Sequence, residues 1–268
     1  MKSRLLVAAV GVPALLYIVL WGPEWLTAAS LAALSGVGAY ELMKCVGAME
    51  ANRLLCQMTV TFAVWAVLCC WALADWLIPC LMLYILLAFA TAVYKAGEIK
   101  VSHLMAGIFG AIMIPYAFSS FFRIFGLGGH RGYLLLPFIL SFACDTFAYF
   151  TGLTIGKHKL APKVSPKKTV EGSIGGLVGN VLCGLVFAWV MNCWFGGNIH
   201  YGSMALLALF CGVVAQIGDL SFSLIKREFG VKDYGKIFLA HGGVLDRFDS
   251  VLFVAPTLAA LMQILGIR

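Results

Sequence analysis

Long, unbroken apolar runs constrain this chain more than any other feature. Nine segments, approximately Leu5 to Trp21, Trp25 to Leu42, Leu54 to Leu73, Trp76 to Tyr94, Leu104 to Phe125, Tyr133 to Ile155, Ile174 to Phe195, Met204 to Ile225 and Ser250 to Ile267, approach the length that carries an α-helix across a bilayer. With 62% hydrophobic residues, 12% charged and a mean hydropathy of +0.96, a water-soluble globule is ruled out. A β-barrel is ruled out too, because its strands would alternate apolar and polar residues. The expected fold is an all-α polytopic membrane protein with about nine transmembrane helices, forming a single integral membrane domain over residues 1–268. The basic, apolar stretch Met1 to Leu20 looks like a signal peptide but lacks a clear small-residue cleavage site, so it is kept as the first helix.

The charges can be counted against that topology. Nine spans put the N-terminus and the loops after spans two, four, six and eight on one face, which then holds 16 of the 19 basic residues and leaves Arg123, Arg131 and Arg268 opposite. Basic residues accumulate on cytoplasmic loops, so the polar site is expected to face the cytoplasm. The net charge of +7 is thereby concentrated on one surface, where it attracts anionic lipid headgroups or an anionic substrate. Nucleic acid is not an expected partner, because no basic module interleaved with aromatics is present. The nine cysteines lie mostly within apolar runs without CxxC spacing and read as small core residues.

Two loops of the basic face carry chemistry. Gly156-Lys-His-Lys-Leu-Ala-Pro-Lys-Val-Ser-Pro-Lys-Lys-Thr-Val-Glu-Gly172 sets five lysines among prolines and hydroxyls just before span seven. Its ammonium groups, the Ser165 and Thr169 hydroxyls and free N–H groups around Gly172-Ser173 suit a phosphate. A solvated basic loop would have the same composition. Gly172, Gly175, Gly176 and Gly179 read as close helix packing rather than a nucleotide loop.

In the second region Asp219 interrupts an apolar helix, at a cost on the order of 3 kcal/mol that calls for a partner. Ser223 and Lys226 follow one and two turns along the same face, so Lys226 is the expected partner. Asp246 and Asp249, three residues apart, share a helix face and repel unless a cation joins them. With Asp219 they offer three hard oxygens to Mg²⁺. Asp145 is a further carboxylate inside a span, for a site or for a structural ion pair. His241-Gly242-Gly243 reads either as a flexible turn or as backbone that approaches a phosphate.

Ser223-Leu-Ile-Lys-Arg-Glu-Phe-Gly-Val-Lys-Asp-Tyr-Gly235 followed by His241-Gly-Gly-Val-Leu-Asp-Arg-Phe-Asp249 closely resembles the signature of phosphatidate cytidylyltransferases, also called CDP-diacylglycerol synthases. The lysine-rich loop and Gln216-Ile-Gly-Asp-Leu220 resemble that family's other motifs, so the signature-bearing catalytic part covers approximately residues 145–250. The resemblance implies conversion of CTP and phosphatidate to CDP-diacylglycerol and pyrophosphate, in a bacterial inner membrane with membrane lipids around it. It assigns Asp219, Asp246 and Asp249 to a Mg²⁺ centre, with a second cation left open. Ser223, Lys226, Arg227, Lys232, His241 and Arg247 become phosphate contacts, with Lys167 and Lys168 on the CTP phosphates and Asp145 lining the substrate site. By analogy alone it also admits a homodimer. The chain departs from the family at Leu239-Ala240, usually Pro-Gly, and at Phe147, usually Gly.

Of two other function classes, the first lacks its motif here and the second remains open. A CDP-alcohol phosphotransferase would need Asp-x-x-Asp-Gly, and here Asp249 is followed by Ser250. A lipid or ion transporter would use Asp145 and Asp219 along a pathway.

Overall fold

The computed structural model describes residue 11, residues 13–235 and residues 242–267. Residues 5–10 and 12 of the first expected span, together with Lys236, Leu239-Ala240 and His241, lie outside the described residues. The helices are α1 Glu24–Cys45, the short α2 Ala48–Ala51, α3 Arg53–Ala72, α4 Leu77–Tyr94, α5 Val101–Gly128, α6 Leu136–Ile155, α7 Val170–Trp194, α8 Tyr201–Glu228 and α9 Leu245–Leu265. Short 3₁₀ turns, Ala74–Trp76 and Arg131–Leu135, lead into α4 and α6. Among the described residues eight helices are long and apolar enough to cross a membrane, and they coincide with the second to ninth expected spans. The fold is all-α and polytopic, as the apolar runs require.

Among the described residues a small sheet interrupts the succession of helices. Between α6 and α7 the lysine-rich segment forms an antiparallel hairpin, β1 Lys159–Ala161 and β2 Ser165–Thr169, with Lys159 opposite Thr169 and Ala161 opposite Ser165. The sequence expectation was a loop. Pro162 and Lys163 make the turn, closed by the Val164 N–H donating to the Ala161 carbonyl at 3.2 Å. Pro166 is tolerated because a two-stranded sheet leaves an edge that needs no ladder donor.

The described residues fall into two compact units, one drawn from Met1–Ser119 and Glu228–Phe248, the other from Ser120–Arg227 and Asp249–Arg268. In the first, α1 packs on α3 where Gly36 admits Val64 and the Ser35 hydroxyl donates to the Ala63 carbonyl at 3.0 Å. Between membrane helices such a bond contributes about 0.6 kcal/mol, so the close backbone approach matters at least as much. Thr59 and Tyr84 join α3 to α4 through their hydroxyls at 2.9 Å, and Phe62 stacks on Tyr84 with ring centroids 4.9 Å apart. The side chain of Asn52 caps α3 by accepting the Leu55 N–H.

In the second unit α6 and α7 are in intimate contact, and the glycines that read as packing residues are the reason. A Cβ on Gly172 would meet the Ala148 carbonyl and one on Gly176 the Cys144 carbonyl. Phe147, which stands where the resembling family usually has glycine, lies against Gly179, whose missing side chain makes room for the ring. Farther along, the buried Asn180 amide donates to the Ala208 carbonyl at 2.7 Å and ties α7 to α8.

Candidate active site

The second unit brings one ammonium among three carboxylates. Side chains alternate across a strand, so Lys167 on β2 is exposed while Lys168 turns inward. There the Lys168 ammonium forms an ion pair with Asp219 of α8. Asp145 of α6 and Asp249 of α9 also act electrostatically on it. Burial pushes Lys168 below the ordinary lysine range, and the Asp145 and Asp249 carboxylates push it back up.

The sequence offered Lys226 as the partner of Asp219; the structure corrects this. Lys226 is buried and couples electrostatically to Asp249, while Asp219 is paired by a lysine from the hairpin. Seven-residue spacing along a helix brings two side chains to one face, but the hairpin's approach decides which charges meet. The Gly172 N–H is also not free for phosphate: Thr169 Oγ1 accepts it at 3.1 Å as the N-cap of α7. Glu171 turns back on the hairpin, accepting the N–H groups of Lys157 and His158 and pairing with the His158 ring.

These groups border a cavity of about 590 Å³ lined by Asp145, Lys167, Lys168, Ser173, Gln216 and Asp219, with Tyr149, Leu153 and Leu160 as its apolar part. Gln216, which sequence reasoning did not single out, joins α7 to α8 at this wall: its amide donates to the Ser173 carbonyl at 3.0 Å, and its carbonyl pairs with the Ser173 hydroxyl. Asp145 also accepts from the Ser250 hydroxyl at 3.5 Å. Among the remaining expected phosphate contacts, Ser223 is half-buried and Arg227 exposed, its Nε donating to the Val164 carbonyl of the hairpin at 3.3 Å.

In the first unit Lys232 is exposed, as is Arg247 at the start of α9. Asp246 uses Oδ2 to accept the N–H groups of Tyr234 at 2.8 Å and Gly243 at 2.9 Å. It therefore ties together two stretches of the signature, a role its spacing from Asp249 did not reveal. Glu41 of α1 was also missed, although it is an acidic residue inside an apolar span, the same feature that drew attention to Asp145 and Asp219.

Among the described residues no three His, Cys, Asp or Glu side chains are grouped to hold a metal. A divalent cation here would take one or two carboxylates plus substrate phosphate and water, which is how Mg²⁺ is commonly held. Asp219 and Asp249 are hard oxygen donors of that kind, and Asp249 Oδ1 already accepts the Ser250 N–H at 2.8 Å.

A cavity that combines carboxylates with a lysine hairpin suits phosphate chemistry, and comparison with known proteins narrows it. The profile of the Cytidylyltransferase family matches residues 2–265. The chain belongs to this family. Proteins named phosphatidate cytidylyltransferase from Staphylococcus saprophyticus and Staphylococcus haemolyticus are each 45% identical to it over 130 residues, 48% of this chain and 48% of theirs. One of the same name from Staphylococcus aureus is 44% identical over the same share. The chain spans about half the length of the curated relatives it matches.

Proposed function

We propose that this cytidylyltransferase-family chain transfers the cytidylyl group of CTP to phosphatidate. A phosphate oxygen of the lipid attacks the α-phosphorus of CTP, the bond from that phosphorus to the α,β-bridging oxygen breaks, and pyrophosphate leaves. The observation that carries this reading is the cavity in which the Lys167-Lys168 strand meets Asp145 and Asp219. The lipid phosphate is itself an anionic nucleophile, so no protein nucleophile is required.

The residues divide the work by charge. Lys167, turned outward, neutralises the CTP phosphates as they approach, and Lys168 stabilises charge developing on the leaving pyrophosphate. Asp219 and Asp249 would hold Mg²⁺, which when bound neutralises phosphate charge and aligns the α-phosphorus for attack. Asp219 also fixes the position of Lys168, and Tyr149, Leu153 and Leu160 shield the reacting groups from water.

Purified protein in mixed micelles of detergent and phosphatidate is expected to incorporate radiolabelled CTP into lipid, with one pyrophosphate released per lipid labelled and loss of both on chelation of divalent cations. Absence of label in lipid from active-site-intact, folded protein would remove the proposal. Lipid or ion transport through Asp145 and Asp219 would release no pyrophosphate.

The site is proposed to face the cytoplasm across a bacterial inner membrane. In a cysteine-free background, Ser165→Cys should react with an impermeant thiol reagent only from the cytoplasmic side and Asn198→Cys only from the other. These positions flank α7 and are separated by a full span. Labelling of both from one side would break the topology.

A further inference from the structure

Glu41 lies near the end of α1 and is only 1% exposed. A carboxylate placed in a membrane helix needs partners, and those of Glu41 are backbone amides. Oε1 accepts the Val244 N–H at 3.0 Å and Oε2 the Leu245 N–H at 2.9 Å. These amides open α9, where the first N–H groups lack acceptors within the helix and the dipole is positive. A side chain from α1 thus caps the helix that carries Asp246.

The cap extends to the signature loop. Asp246 holds the amides of Tyr234 and Gly243, so Glu41 and Asp246 together grip Tyr234-Gly235 on one side and Gly243 to Leu245 on the other. The glycines show how close the fit is: a Cβ on Gly235 or on Gly243 would run into the Glu41 carboxyl group. An apolar residue at position 41 would avoid the desolvation cost but would leave two amides of α9 without acceptors.

We propose that Glu41 is a positioning residue, clamping the start of α9 and both ends of the signature loop so that Asp246 is presented in one orientation. It acts through Asp246 and the loop and does not touch substrate. The clamp is read from geometry, while its effect on turnover rests on the cytidylyltransferase reading.

The test uses the full chain in phosphatidate micelles. Glu41→Ala should lower kcat by about 100-fold, the order expected when a reacting constellation is displaced by about 1 Å. The apparent constants for CTP and phosphatidate should stay within about twofold, and Glu41→Gln, which keeps one acceptor oxygen, should fall between. Glu24→Gln, an exposed carboxylate at the other end of α1, should leave activity unchanged. Hydrogen exchange at the Val244 and Leu245 amides should rise at least about tenfold in Glu41→Ala, with α3 and α4 unaffected. Gly243→Ala should damage the parent chain but add little in the Glu41→Ala background, where the colliding carboxyl group is gone.

Unchanged kcat in Glu41→Ala, faster exchange spread evenly over α1, α3 and α4, or fully additive costs of the two substitutions would each overturn the clamp. If the parent chain releases no pyrophosphate, the cytidylyltransferase reading fails, and the clamp stands or falls by exchange at Val244 and Leu245.

Discussion

Lys168→Met is expected to lower cytidylyl transfer by about 100- to 1,000-fold, the range seen when one donor aimed at developing charge is removed. Lys168 is turned inward and held by Asp219, so its loss should appear in kcat. Lys167 is exposed on the other face of the same strand, and Lys167→Met should mainly raise the apparent constant for CTP, by about tenfold. Steady-state kinetics on both variants separate the two lysines. Equal effects, or near-parent turnover in Lys168→Met, would remove the inward lysine from the chemistry. The same substitution leaves Asp219 without its cation, and breaking a buried pair in this way costs up to about 3–5 kcal/mol. The Lys168 and Asp219 side chains are 27% and 21% exposed, so the cost should sit below that range. Adding Asp219→Asn should recover thermal stability in detergent without recovering turnover, because removing both charges abolishes the unpaired carboxylate but not the need for the ammonium.

Asp246→Asn is expected to lower turnover by about 100-fold or more while the protein folds and inserts normally, because it removes a charge that the family resemblance assigns to the reacting phosphates and their metal. The amide oxygen of Asn can still accept the Tyr234 and Gly243 N–H groups that Asp246 Oδ2 holds, so the loop tie survives and only the negative charge is lost. Asp246→Ala loses both, and should in addition raise hydrogen exchange at those two amides. Comparing the two variants distinguishes charge from scaffolding. Near-parent turnover in Asp246→Asn would leave Asp246 as a loop tie alone and withdraw it from any role toward phosphate or metal.

What could be read from the amino acids was local. Hydropathy is a property of consecutive residues, and about 20 apolar residues in a row have few alternatives to a membrane helix. The eight spans among the described residues were therefore legible, as was the close packing at Gly172, Gly176 and Gly179, because absent side chains permit approach wherever the partner lies. The family was legible too, since its signature is a run of residue types at fixed spacing. Tertiary structure decided which charges and amides meet. Spacing offered Asp219 only Lys226, whereas the folding of Ser165–Thr169 into a strand brought Lys168 to it and Lys226 acts electrostatically on Asp249. The Gly172 amide looked available until Thr169 capped it, and nothing in the sequence linked Glu41 to the start of α9, whose amides its carboxylate accepts. Burial penalises a polar group without a partner, but the choice of partner depends on distances between segments far apart in sequence, which only the packed helices set.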